Sequence, residues 1–135
     1  MISKLFVKPV KGGSAVSVSS LTLVEGRGVE GDCHADGGER SVCLITESTE
    51  NALAGIGEKK NCLVKFTCNV VLSGGRELSV GDTVGIGSAL LTVTLVGREC
   101  HELCAVPDCP LISGIIFARV SKGGKISVGD SVSYA

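Results

Sequence analysis

The stretch Gly97-Arg98-Glu99-Cys100-His101-Glu102-Leu103-Cys104 gathers more reactive side chains than any other part of the chain. Cysteine is a nucleophile or metal ligand only as its thiolate, and nearby cations lower the pKa of the thiol. Arg98 and His101 favour a thiolate at Cys100, while Glu99 and Glu102 oppose it. If the stretch turns helical, Cys100 and Cys104 are i,i+4 neighbours on one face. Cys109 follows in Pro107-Asp108-Cys109-Pro110, a stiff turn. The functional reading is a reactive thiolate. The ordinary alternative is a small buried hydrophobe. The surrounding charges weigh against that at Cys100, and nothing decides it at Cys109.

A second cluster is Gly28-Val29-Glu30-Gly31-Asp32-Cys33-His34-Ala35-Asp36, continuing into Gly37-Gly38-Glu39-Arg40. In an extended strand Asp32, Cys33 and His34 would alternate between faces, so a shared site requires an irregular loop. The glycines permit one. The functional reading is a loop closing over a ligand, with the guanidinium fork of Arg40 holding an anionic group. The plain alternatives are a polar turn and a solvated arginine. Cys100, His101, Cys104 and Cys109 also have the donor types of a tetrahedral zinc site. Their spacing, however, is not that of paired Cys-x-x-Cys knuckles. A Cys–His protease pair of Cys100 with His34 rests on residue types alone. No P-loop, dinucleotide fingerprint or Gly-x-Ser-x-Gly elbow occurs.

The elements that must hold these residues read as strands. Valine-rich runs bounded by glycine predict Leu5–Val10, Ala15–Val24, Ser41–Thr46, Leu63–Leu72, Thr83–Ile86, Ala89–Val96, Ile115–Ser121 and Ser131–Tyr134. Within Ala89–Val96, Leu91, Val93 and Leu95 alternate with Leu90, Thr92 and Thr94, the period of a half-buried strand. Lys122-Gly123-Gly124-Lys125 predicts a tight hairpin. Helix is expected only over Glu47–Ala54, with Thr46 as N-cap, and near His101–Ala105. Such spacing points to a mainly β barrel or sandwich rather than βαβ units. An internal echo fits this: Leu78-Ser79-Val80-Gly81-Asp82-Thr83-Val84 returns as Ile126-Ser127-Val128-Gly129-Asp130-Ser131-Val132, and Val29-Glu30-Gly31-Asp32 is a fainter copy. Each Gly-Asp predicts a turn with glycine in a left-handed conformation and aspartate bonding to local N–H groups. Asp82 and Asp130 are read as structural.

Composition removes several function classes. The 135 residues fit one domain, 1–135, able to bury about two-thirds of its unfolded surface. Thirteen basic and 14 acidic residues give a net charge of −1, so no electrostatic footprint for nucleic acid or anionic membrane is expected. Three Phe, one Tyr and no Trp supply no stacking platform for single-stranded nucleic acid or a pterin ring. Nineteen glycines, about twice the usual share, suit barrel corners and bulges. Seven cysteines, an odd number, argue against a full disulfide framework. No secretory h-region and no apolar run long enough to span a bilayer occurs, so a cytoplasmic protein with reduced thiols is expected.

In order along the chain these motifs resemble a known family. Gly28-Val29-Glu30-Gly31-Asp32-Cys33-His34-Ala35 is similar to the Gly-(Val/Leu)-x-Gly-Asp-x-His-Ala signature of MOSC domains, named after the C-terminus of molybdenum cofactor sulfurases. Leu78–Asp82 with Gly85-Ile86-Gly87 and Leu91-Thr92-Val93-Thr94 resembles the family's Leu-x-Val-Gly-Asp stretch. Arg98-Glu99-Cys100-His101 matches the position of the family's cysteine, and Gly114 to Asp130 resembles its closing strand pair. Glu99-Cys100-His101-x-x-Cys104 and Asp108-Cys109 are similar to small stand-alone bacterial members.

The resemblance implies a MOSC-like β-barrel and a role in handling the molybdenum cofactor or sulfane sulfur. Cys100 becomes the acceptor of persulfide sulfur or the thiolate partner of molybdenum. Asp32, His34 and Arg40 would line the same cleft with Arg98 and His101, and Asn69 in Phe66-Thr67-Cys68-Asn69 matches the family's Phe-x-Glu-Asn pattern. The expected function is a sulfur carrier that receives sulfur from a cysteine desulfurase-type donor and delivers it to the molybdenum cofactor (molybdopterin) or a molybdoenzyme. Cofactor contact would be transient. No covalent pyridoxal phosphate is expected, because 135 residues cannot hold a desulfurase module. Alternatives are a cofactor-binding oxidoreductase component with Cys100 on molybdenum, and a zinc module using Cys104 and Cys109. Two departures stand out. Cys68 replaces the pattern's glutamate, and Leu111-Ile112-Ser113 lacks the usual Met-Pro and acidic residue before Gly114.

Overall fold

The computed structural model describes residues 1–10, 14–33, 35, 37–38, 41–54, 68–74, 77–97 and 114–134. Eleven strands and one helix lie within them: β1 (Ile2–Val7), β2 (Val16–Val18), β3 (Ser20–Val24), β4 (Gly28–Val29), β5 (Val42–Thr46), α1 (Glu47–Ala54), β6 (Val70–Leu72), β7 (Thr83–Ile86), β8 (Ala89–Val96), β9 (Ile116–Lys122), β10 (Gly124–Ser127) and β11 (Val132–Tyr134). Eight strands form one sheet in the order β11-β7-β8-β9-β5-β6-β1-β2, and β10-β3-β4 form a second. Every pairing is antiparallel except β5 with β6. The large sheet curls strongly into a half-barrel, so the expected mainly β, MOSC-like barrel architecture holds.

Alternation on β8 shows why the sheet curls around a core. Leu91 and Val93 are fully buried, while Thr92 and Thr94 on the opposite face are only half-buried. Leu5, Leu23, Leu44, Val70, Leu91 and Ile126 bring both sheets to one apolar cluster. Each such side chain contributes about 1.5–3 kcal/mol when removed from water. A second, smaller cluster joins Cys43, Ile45, Cys68, Val71, Ile115 and Phe117. Along β9 and β5 these residues alternate with those of the first cluster, so they occupy the outer face.

Helix α1 begins as expected: the Thr49 N–H donates to Thr46 Oγ1 at 3.2 Å, the N-cap bond. Glu47 and Glu50 in its first turn complement the helix dipole. Lys4 Nζ reaches Glu50 Oε1 at 2.7 Å and ties the helix to β1. The helix expected near His101–Ala105 and the strand residues 63–67 lie outside the described residues.

Several boundaries differ from expectation for local reasons. Strand β1 spans Ile2–Val7 instead of Leu5–Val10. Lys8 has left the ladder: its N–H donates to Asp32 Oδ1 and its carbonyl accepts from Cys33 N–H, and Pro9 has no N–H to give. The run Ala15–Val24 breaks at Ser19, whose carbonyl accepts from Val128 N–H at 2.9 Å, and the chain passes there from one sheet to the other. Lys122–Lys125 is not a hairpin. β9 and β10 belong to different sheets, and Gly123 and Gly124 mark the corner. A Cβ on Gly123 would lie 2.7 Å from the Leu23 carbonyl oxygen, so close backbone approach, not positive φ, requires glycine there.

Candidate functional site

The three Gly-Asp turns share one backbone. Gly31, Gly81 and Gly129 have φ of +84°, +95° and +94°, values that favour glycine. The aspartate N–H closes each turn on the carbonyl three residues back, at 3.0 Å for Asp32 on Val29, 3.0 Å for Asp82 on Ser79 and 3.1 Å for Asp130 on Ser127. Asp82 Oδ2 then accepts from Ser79 N–H, and Asp130 Oδ2 from Ser127 N–H, both at 2.8 Å. These two carboxylates are turn closures, as expected.

Asp32 uses its carboxylate differently. Oδ1 accepts from Lys8 N–H at 2.8 Å and from Asn69 Nδ2 at 3.1 Å, both distant in sequence. Asn69 also donates from Nδ2 to the Phe6 carbonyl at 3.2 Å, while its Oδ1 accepts from Cys43 N–H at 3.0 Å. A backbone N–H can only donate, so Cys43 fixes which way the amide faces. The Asn69 backbone continues the joint: its N–H donates to the Cys43 carbonyl, and its carbonyl accepts from Phe6 N–H. Asp32 and Asn69 are each 8% exposed. No buried side-chain nitrogen or oxygen among the described residues lacks a partner. One amide thus fastens β1, β5 and the glycine loop together.

Cys68 sits beside this joint with Sγ 3.1 Å from the Cys43 carbonyl oxygen and 3.0 Å from that of Val70. A thiol is a weak donor and fits this place. A carboxylate would face carbonyl oxygens inside an apolar cluster, which fits the absence of glutamate here. Cys43 and Cys68 are buried, and Cys33 is half-buried on the glycine loop.

The structure brings two of the expected site residues, Asp32 and Asn69, into direct contact. His34, Arg40, Arg98, Cys100, His101, Cys104 and Cys109 lie outside the described residues. Their frame is defined. Gly97 follows β8, and its N–H donates to the Ile115 carbonyl at 2.7 Å, which holds these two described residues together. Val96 pairs with Ile116, Ile116 with Leu44, Leu44 with Val70, and Val70 with Leu5. This transverse row runs from the residue before Gly97 to the residue after Asn69. It spans three strand spacings, about 14 Å along the sheet. No group of three metal-ligating side chains comes together among the described residues.

Sequence reasoning missed Lys8 and Cys43 because both enter the joint through backbone N–H groups, which every residue but proline offers. The asparagine carried a signal, since a buried amide must find partners for both its ends.

No family profile matches the chain, and no curated protein matches it in sequence. Solved structures do match in fold. YuaD from Bacillus subtilis superposes with a TM-score of 0.68 at 18% identity, covering 99% of this chain and 96% of YuaD. YiiM from Escherichia coli gives 0.65 at 21% identity, covering 99% and 69%. YiiM from Geobacillus stearothermophilus gives 0.62 at 19%, covering 100% and 75%. YuaD and YiiM are MOSC-domain proteins, and the fold of this chain is MOSC-like.

Proposed function

We propose that this chain is a MOSC-type sulfur carrier, with Cys100 as the residue that bears the sulfur. The observation that supports it most is the contact between Asp32 and Asn69. These residues come from two separate stretches that resemble MOSC motifs, and they meet in one buried joint. The transverse row of paired residues links that joint to Gly97, where the Cys100 segment begins. The joint holds the glycine loop against the sheet, and that loop carries His34 and Arg40 in sequence.

The chemistry balances with thiols alone. The Cys100 thiolate attacks the terminal sulfur of a donor persulfide, the donor's S–S bond breaks, and the donor cysteine leaves as a thiolate. Cys100 now holds the persulfide. Attack by the Cys104 or Cys109 thiolate on the inner sulfur forms a protein disulfide and expels hydrosulfide, the two electrons coming from the thiols. Hydrosulfide is then available to a molybdenum centre, which is the acceptor and not a resident cofactor. Arg98 and His101 serve by favouring the Cys100 thiolate.

Mass spectrometry of the protein incubated with a cysteine desulfurase and cysteine tests this. One added sulfur should appear on the peptide holding Cys100 and vanish in Cys100→Ser. With both resolving thiols removed, in Cys104→Ala/Cys109→Ala, the persulfide should persist because its release is blocked, and the two single variants show which thiol resolves it. No sulfur on Cys100 either in wild-type protein or in the Cys104→Ala/Cys109→Ala double variant, where release is blocked, would refute the carrier function.

A further inference from the structure

A groove of about 290 Å³ opens on the outer face of β8 and β9, bounded by Gly37 and Gly38 of the glycine loop and by the turn at Val80 and Gly81. Thr92, Thr94 and Arg119 also line it. The neighbours of these residues, Leu91, Val93, Ala118 and Val120, are buried in the main core. The strand period therefore turns Thr92, Thr94 and Arg119 outward together. Arg119 pairs with Thr92 across the two strands. It is exposed, and it forms no ion pair among the described residues. Asp82, adjacent to Gly81, has a carboxylate oxygen turned back onto Ser79 N–H at 2.8 Å.

The groove is tied together rather than formed by chance proximity. The Gly26 N–H donates to the Val120 carbonyl at 3.1 Å, which fastens the turn between β3 and β4 to β9. Gly37 in turn donates its N–H to the Arg27 carbonyl at 3.0 Å. Its φ is +81°, and a Cβ there would lie 2.6 Å from the Gly26 carbonyl oxygen. Only glycine lets the loop lie this close, so the wall carrying Gly37 and Gly38 is held to the strand carrying Arg119.

We propose that this groove binds the oxyanion of a small phosphate- or sulfate-bearing molecule, with Arg119 as its charge partner and the glycine wall of Gly37 and Gly38 beside it. A guanidinium presents parallel N–H groups that match two oxygens of a tetrahedral anion. The volume lies at the small end of ligand sites, so it takes a small metabolite rather than a large cofactor. Among the described residues none lining the groove is aromatic, so they offer a ring nothing to stack on. The exposed Val80 gives it modest apolar contact. The sequence reading placed an anion-binding arginine at position 40; the groove assigns one at 119. Among the described residues, Asp32, Asn69, Cys33, Cys43 and Cys68 do not line the groove.

Nuclear magnetic resonance titrations at constant ionic strength test it, using inorganic phosphate, sulfate, glycerol 3-phosphate and, as the neutral control, glycerol. Saturable shifts are expected at the amides of Gly37, Gly38 and Thr94 and at Arg119 Nε, with glycerol producing none. Tighter binding of glycerol 3-phosphate than of inorganic phosphate identifies an ester as the ligand class; equal binding identifies the free anion. Arg119→Gln should weaken binding at least tenfold with an unchanged melting temperature. Arg119→Lys keeps the charge without the fork and should fall between. Full affinity in Arg119→Gln, shifts centred on other cations, or glycerol binding as well as its phosphate would each overturn the proposal.

Discussion

The Gly31–Asp32 turn and the Gly81–Asp82 and Gly129–Asp130 turns begin from the same four-residue solution. In each, a glycine at positive φ precedes an aspartate whose N–H bonds three residues back. They part at the carboxylate. Asp82 and Asp130 spend Oδ2 on the N–H of a serine in their own turn, so each carboxylate closes a corner locally. At the equivalent place before Asp32 stands Val29, a strand residue paired with Leu23 in the small sheet. The Asp32 carboxylate reaches instead to Lys8 and Asn69. One turn motif thus yields a local cap twice and a long-range joint once, and at the joint two of the expected site residues, Asp32 and Asn69, meet.

The comparison predicts its largest effect at Asn69. Asn69→Ala would orphan Cys43 N–H, the Phe6 carbonyl and one bond to Asp32 in a place with little water. Unsatisfied buried groups cost about 1–3 kcal/mol each, partly relieved by relaxation, so a loss of about 2–4 kcal/mol is expected. Urea denaturation measures it from the shift in midpoint at constant slope. A loss below about 1 kcal/mol would mean that the joint is ornamental. Asp32→Asn keeps an acceptor oxygen but loses the charge assistance, and should cost about 1–2 kcal/mol.

A double-mutant cycle sharpens the contrast. Asp32→Ala and Asn69→Ala remove opposite ends of one bond, so their losses should fall short of additivity by about 1–2 kcal/mol. Asp82→Ala and Asp130→Ala touch separate turns and should add within about 0.5 kcal/mol. Each alone should cost about 1 kcal/mol, the net worth of one exposed or half-buried hydrogen bond. Coupling between Asp82 and Asp130 as large as that between Asp32 and Asn69 would erase the distinction.

How much of this was legible in the sequence follows the same divide between local and distant. The strands Thr83–Ile86 and Ala89–Val96 and the helix Glu47–Ala54 appear with the expected limits, because alternation, capping and turn residues are local signals. The caps at Asp82 and Asp130 were legible for that reason too. The break at Ser19 and the corner at Gly123 were not, since each answers a partner far along the chain, Val128 in one case and Leu23 in the other. At the site, the family resemblance singled out Asp32 in the glycine-rich signature and Asn69 in a separate motif, but nothing in spacing shows that they touch. Lys8 could not be read at all: its role is a backbone N–H freed where β1 ends before Pro9. Arg119 was hidden in a strand pattern, where an outward arginine looks like solvent-facing filler until the glycine loop is seen beside it.

The smallest predicted effect concerns what the three turns share. If their backbones are equivalent, alanine at Gly31, Gly81 or Gly129 should cost the same wherever the carboxylate points. An added Cβ meets no atom within 4 Å at any of the three, so crowding contributes nothing and only conformational strain remains. Placing an L-residue at these φ values costs about 1–2 kcal/mol, offset by about 0.4–1 kcal/mol because alanine restricts the unfolded chain. Each substitution should therefore lose about 1 kcal/mol, and the three should agree within about 0.5 kcal/mol. A much larger loss at Gly31 would show that the long-range bonds of Asp32 depend on the fine geometry of its turn. The joint and the turn would then be one unit, and the division between a common backbone and a divergent carboxylate would have to be given up.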